Sequence, residues 1–93
     1  MSKLQQWRNK IDGLDRRLVA LLNQRLATVS EIARWKAENK IAAYSPSRTA
    51  EIMHNIAAAN RGPHSVAQLR RIYRQVIAAS VDLQKKTRPL KRK

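Results

Sequence analysis

Cysteine is absent from the 93 residues, which excludes disulfides and thiolate metal sites. The two histidines, His54 and His64, are too few for a metal cage, so no metal is expected. Strand signals are missing as well. There is no short alternating apolar run and no Asn-Gly or Asp-Gly hairpin turn. No apolar stretch reaches the roughly 18 residues that a membrane span requires. The opening MSKLQQWRNKID has no long apolar run of the signal-peptide kind. The expected setting is therefore cytoplasmic, with no membrane partner. Acids are scarce too: six Asp and Glu stand against twenty Lys and Arg, for a net charge of +14. A field of that sign draws anions, whether a small polyanion, nucleic acid or an acidic surface.

What is present is helical periodicity. The length suits one domain, and a domain so small buries a modest core and often relies on a partner. Apolar residues recur at Leu4, Trp7, Ile11, Leu14, Leu18 and Leu21, and the phase continues through Arg25, Thr28, Ile32 and Trp35. This predicts one helix from about Lys3 to Glu38, interrupted only by Gly13. Such a helix is about 50 Å long, whereas a compact chain of this size has a radius of gyration of about 12 Å. The rest of the chain cannot cover it, so a homodimer with intertwined long helices is expected. Ser45-Pro46 starts a second helix, with the serine as cap and the proline in the first turn. Arg61-Gly62-Pro63 ends it. Ser65 and Gln68 form a capping box for a third helix reaching about Lys86. The expected organisation is a helical domain over 1–86 and a flexible basic tail over 87–93. No internal repeat is present.

Polar residues fall where apolar ones belong. With Leu4 at heptad position a, Arg25 occupies an a position on the apolar seam, and Arg8 and Lys36 flank it at e. Arg48 shares a face with Ile52. Ser80 lies in the stripe of the third helix, with Gln84 one turn on. Cations on a buried seam are costly unless paired, and six acids cannot neutralise them all. Asp15, Glu31 and Glu51 are the candidate partners. The remaining pairing anion must come from outside, and arginine forks suit a carboxylate. Each residue also has a plainer reading. Arg8 and Lys36 can snorkel at the stripe edge, Arg25 can fix helix register, Arg48 can serve the helix surface, Ser80 can simply pack, and Gln84 can be solvated. The conjunction carries more than any one position.

These residues resemble a known family, the all-α class of chorismate mutases, over about Leu4 to Gln84. LQQWRNKIDGLDRRLVALLNQR is similar to that family's first-helix signature, with Arg8 and Arg25 at its two arginine positions. VSEIARWKAENK resembles the stretch carrying the catalytic lysine, matched by Lys36. SPSRTAEIM resembles the start of the second helix, whose arginine is Arg48. IYRQVIAASVDLQ resembles the third-helix motif, whose serine and glutamine are Ser80 and Gln84. The resemblance implies an all-α, three-helix protomer in an intertwined, domain-swapped homodimer. It implies rearrangement of chorismate to prephenate with no cofactor, and Arg8 acting across the interface. Arg8, Arg25 and Arg48 would clamp two carboxylates. Lys36 and Gln84 would meet the ether oxygen, and Ser80 would help position a carboxylate. Ile32, Ile52, Ile77 and Val81 would form apolar walls. Two positions depart from the pattern: Thr49 stands where a Glu commonly meets the ring hydroxyl, and Ser45 where an Asp is common.

Four alternatives remain at this point, one of them a regulatory or degenerate mutase-like domain, which the Thr49 departure keeps open. Isochorismate-pyruvate lyases share the fold and can lack that Glu. Aminodeoxychorismate mutases share it too, but a cationic amine favours a nearby carboxylate. A basic helical nucleic-acid binder fits +14 and the KKTRPLKRK tail, yet no nucleic-acid motif is present. Nucleic acid is therefore not the favoured partner, and a small dianion is.

Overall fold

The structure is a computed structural model that describes residues 2–87. Residues 88–93, most of the expected basic tail, lie outside the described residues. The described residues form three helices and no strands, in the order α1 (Lys3–Glu38), α2 (Pro46–Ala59) and α3 (Val66–Lys86).

Each helix begins on a serine, for the same reason. The first backbone N–H groups of a helix have no partner within it, and a serine oxygen supplies one. Ser2 accepts from Gln5 N at 3.1 Å. Ser45 accepts from Arg48 N at 3.3 Å, with Pro46 opening the turn. Ser65 and Gln68 exchange bonds as the expected capping box. The ends differ. α1 closes in a Schellman turn: Ile41 N donates to Lys36 O at 2.8 Å and Lys40 N to Ala37 O at 3.4 Å. Lys40 carries the left-handed conformation there, with φ 55°. After α2, Asn60 staples the turn. Its Oδ1 accepts from Gly62 N at 3.0 Å and its Nδ2 donates to His64 O at 2.8 Å. Gly62 sits at φ 75°, a backbone angle that suits glycine.

α3 packs against both α1 and α2, while α1 and α2 make no comparable contact. The result is a slab of 63 × 29 × 15 Å with a radius of gyration of 17.2 Å. A compact chain of this length is nearer 12 Å, by an approximate scaling with length. The slab is one helix layer thick, so little can be enclosed. Only Val29, Ala33, Ile77 and Ser80 are buried among the described residues. The predicted stripe of α1 is bare: Leu4, Trp7, Ile11, Leu14, Leu18 and Leu21 are 44% (Leu14) to 61% (Leu21) exposed.

The C-terminal half of α1 departs from the sequence expectation, in which the stripe runs on through Thr28, Ile32 and Trp35. The packed face instead runs through Val29, Ala33 and Lys36, each one position further along. Ile32 and Trp35 remain exposed. One position turns a helix by about 100°, so α3 covers the flank of the stripe rather than the stripe itself. No helix of the described residues is long and apolar enough to cross a membrane.

Candidate active site

A cleft of about 600 Å³ opens between the second half of α1, the start of α2 and the second half of α3. Eleven of the twelve residues singled out from the sequence line it. α1 supplies Arg25, Ile32 and Lys36. α2 and its cap supply Ser45, Arg48, Thr49 and Ile52. α3 supplies Ile77, Ser80, Val81 and Gln84. Arg8 is the exception. It lies 17 residues before Arg25 on the same helix, about 25 Å away along the axis, and is exposed.

Two bonds tie α1 to α3 across the cleft floor. Arg25 Nη1 donates to Ser80 Oγ, whose own hydroxyl donates to Val76 O at 3.1 Å. The buried serine thus accepts from a cation while its proton is satisfied by backbone. The sequence expectation gives Arg25 an anion on a buried seam. The structure leaves it half-buried rather than buried and bonded to a neutral hydroxyl, and the other N–H groups of its fork stay open to such an anion. Further along α1, Lys36 Nζ donates to Gln84 Oε1 at 2.9 Å and to Ala43 O at 3.3 Å. Two of the three ammonium protons are thereby directed, and the third is available to the cleft. Because the Gln84 carbonyl takes the lysine bond, its amide N–H groups are the donors it can offer a ligand.

The third cation is arranged differently. Arg48 Nη1 donates to Glu51 Oε1 at 2.8 Å, the one ion pair among the described residues. Of the three acids considered as partners, Glu51 is used. Asp15 and Glu31 form no ion pair among the described residues. Glu51 is not part of the cleft wall, and no carboxylate lines the cleft among those residues.

Sequence reasoning missed the segment joining α1 to α2. Ile41, Ala42, Ala43 and Tyr44 complete the wall, and Ala43 contributes through its backbone carbonyl. Only the Schellman turn that folds this segment back over Lys36 makes it a wall. Asn39 just past a helix end was the available signal.

Three cations, five neutral hydrogen-bonding side chains (Tyr44, Ser45, Thr49, Ser80 and Gln84), apolar walls and, among the described residues, no acid give this all-α domain a cleft whose charge suits a small multiply charged anion. Comparison with known proteins gives that class its family. The family description "Chorismate mutase type II" matches residues 7–85, and the chain belongs to that family. It is 28% identical over 91 residues to a bifunctional chorismate mutase/prephenate dehydratase of Stutzerimonas stutzeri, covering 92% of this chain and 25% of that protein. A protein of the same description from Aquifex aeolicus is 31% identical over 90 residues, with 92% and 25% covered. The chain therefore spans about a quarter of the length of these curated relatives. Among solved structures, chorismate mutase (form II) from Thermus thermophilus superposes with a TM-score of 0.90 at 29% identity, over 94% of this chain and 99% of that one. Form I of the same enzyme gives 0.82 at 29% identity, over 85% and 99%. The resemblance read from the motifs is thus a family membership, and the domain is of the chorismate mutase type II kind.

Proposed function

We propose that this chain catalyses the rearrangement of chorismate to prephenate in the cytoplasm, as an intertwined homodimer with two equivalent sites. The observation that carries the reading is the convergence of Arg25, Lys36, Arg48, Ser80 and Gln84 from three helices on one acid-free cleft.

The reaction is unimolecular. One C–O bond breaks and one C–C bond forms in a single cyclic movement of electrons, so no nucleophile is needed. What remains for the protein is to hold the reactive conformer and to stabilise charge as it develops. Arg25 and Arg48 grip the two substrate carboxylates, and Ser80 holds Arg25 in place. The third proton of Lys36 and the amide of Gln84 meet the ether oxygen as negative charge grows on it. Both donors are fixed in advance by their bond to each other and by Ala43 O, so little reorganisation accompanies the step. Thr49 and Ser45 face the ring hydroxyl. Ile32, Ile52, Ile77 and Val81 exclude water from the ring.

Two features support the dimer. The naked α1 stripe needs an apolar cover that the slab lacks. Arg8 lies too far along α1 to reach its own cleft, so it can contribute only to that of a second copy.

A second reading, isochorismate-pyruvate lyase, is favoured by one observation: hydroxyl groups at Thr49 and Ser45 occupy the end of the cleft where the family pattern has carboxylates. Product analysis separates the two. Purified protein is given chorismate and, in parallel, isochorismate, and the products are resolved by chromatography. Prephenate from chorismate far above background is expected. Salicylate and pyruvate from isochorismate, without prephenate from chorismate, would overturn the first reading in favour of the second.

A further inference from the structure

The ion pair of the described residues joins a cleft cation to an acid outside the cleft. Arg48 lines the cavity; Glu51 does not. Their atoms meet at 2.8 Å, and their side chains are 61% and 65% exposed. Helical geometry sets the direction of the pull. At about 100° per residue, the cleft residues Ile52 and Thr49 lie about 40° and 100° from Arg48 to one side. By the same rotation, Glu51 lies about 60° to the other. The pair therefore draws the guanidinium away from the centre of the cavity.

We propose that Glu51 sets the affinity of the site: it holds Arg48 in an off-site ion pair while the cleft is empty, and a substrate carboxylate takes Arg48 from it on binding. The inference rests on the reading of the cleft as a chorismate site. Its physical basis is a competition between two carboxylates for one fork. Glu51 offers a single 2.8 Å contact in high dielectric, where exposed pairs are weak. The substrate offers a carboxylate in a partly enclosed cavity that also holds Arg25 and Lys36, and a bidentate bond there is stronger. Exchange runs towards the substrate, and whatever the Glu51 pair was worth is subtracted from apparent affinity. Glu51 is thus a positioning residue acting through Arg48, and it touches neither substrate nor reacting bonds.

The test compares wild type with Glu51→Gln and with Glu31→Gln, which removes the same charge from α1 without freeing Arg48. Glu51→Gln is expected to lower KM about two- to fivefold, the range that an exposed pair supports, with kcat unchanged. Glu31→Gln is expected to leave KM near the wild-type value. The difference between wild type and Glu51→Gln should close at high salt, where the native pair is screened. A raised KM in Glu51→Gln would overturn the proposal, because Glu51 would then be aiming Arg48 productively. An unchanged KM, or an equal fall in Glu31→Gln, would overturn it as well. If wild type bound chorismate without turning it over, that would count against the proposed reaction alone. Calorimetric Kd values for chorismate across the three proteins would still decide the role of Glu51.

Discussion

The two halves of α1 share one helix and one apolar phase, yet they meet different fates. From Leu4 to Leu21 the stripe stays exposed. From Arg25 to Lys36 the flank of the same stripe is covered by α3, and its polar residues are bonded: Arg25 to Ser80, Lys36 to Gln84 and Ala43. The first half is exposed apart from half-buried Gly13, and the second carries the polar residues that line the cleft. The difference teaches that an apolar period specifies that a face will be covered, not what covers it. Which neighbour arrives depends on the helix layer that the rest of the chain can build, and here that layer spans only the second half.

Three sets of substitutions would break or sharpen this contrast. The largest effect is expected in the first half. Leu14→Glu places a charge on the bare stripe, and the proposed twofold interface would meet it twice. With about 1.5–3 kcal/mol for each large apolar side chain, dimerisation should weaken by about 3–6 kcal/mol. Sedimentation at micromolar concentration would register monomer in place of dimer. If Leu14→Glu left both mass and activity untouched, the first half of α1 would not be an interface.

The next effect belongs to the second half. Lys36→Ala should reduce turnover about 10²–10³-fold, the usual loss for one donor to developing charge, while helical circular dichroism is kept. Mixing inactive Lys36→Ala with inactive Arg8→Ala joins the two halves in a single test. A heterodimer in which one chain lends Arg8 and the other lends Lys36 has one intact site. Partial recovery of activity on mixing is expected, and none would return if each chain used its own Arg8.

The smallest effect lies at the boundary where α1 ends. Lys40 adopts the left-handed region, which strains a side-chain-bearing residue by roughly 1–2 kcal/mol. Glycine gives part of that back as entropy of the unfolded chain, so Lys40→Gly should stabilise by about 0.5–1 kcal/mol, read as a higher Tm with the cleft intact. A lower Tm would mean that the Lys40 side chain contributes something its position does not reveal.

Much of this is legible in the sequence. All three helices fall where the sequence places them, α1 by its 3–4 spacing and α2 and α3 by their serine caps as well, because those signals are local. The polar cleft residues are legible because polar groups on an apolar face are anomalous in any helix, and the motif resemblance adds Thr49, Ser45 and the apolar walls. The partners they choose are not legible. Arg25 takes the hydroxyl of Ser80, 55 residues away. Arg48 shares a face with Ile52, yet its guanidinium turns to Glu51 within its own helix. Such choices depend on distances between elements, which periodicity does not encode. The wall over Lys36 is hidden for a different reason: its acceptor is made by backbone.

That last point constrains how this cleft can change. The Ala43 acceptor belongs to the peptide unit, so exchanging one side chain for another at position 43 cannot delete it. A residue gained or lost between Asn39 and Ser45 would carry the carbonyl out of reach of Nζ. For this acceptor length matters more than spelling, so the vulnerability of the site should be sought in insertions and deletions rather than in point changes at Ala43.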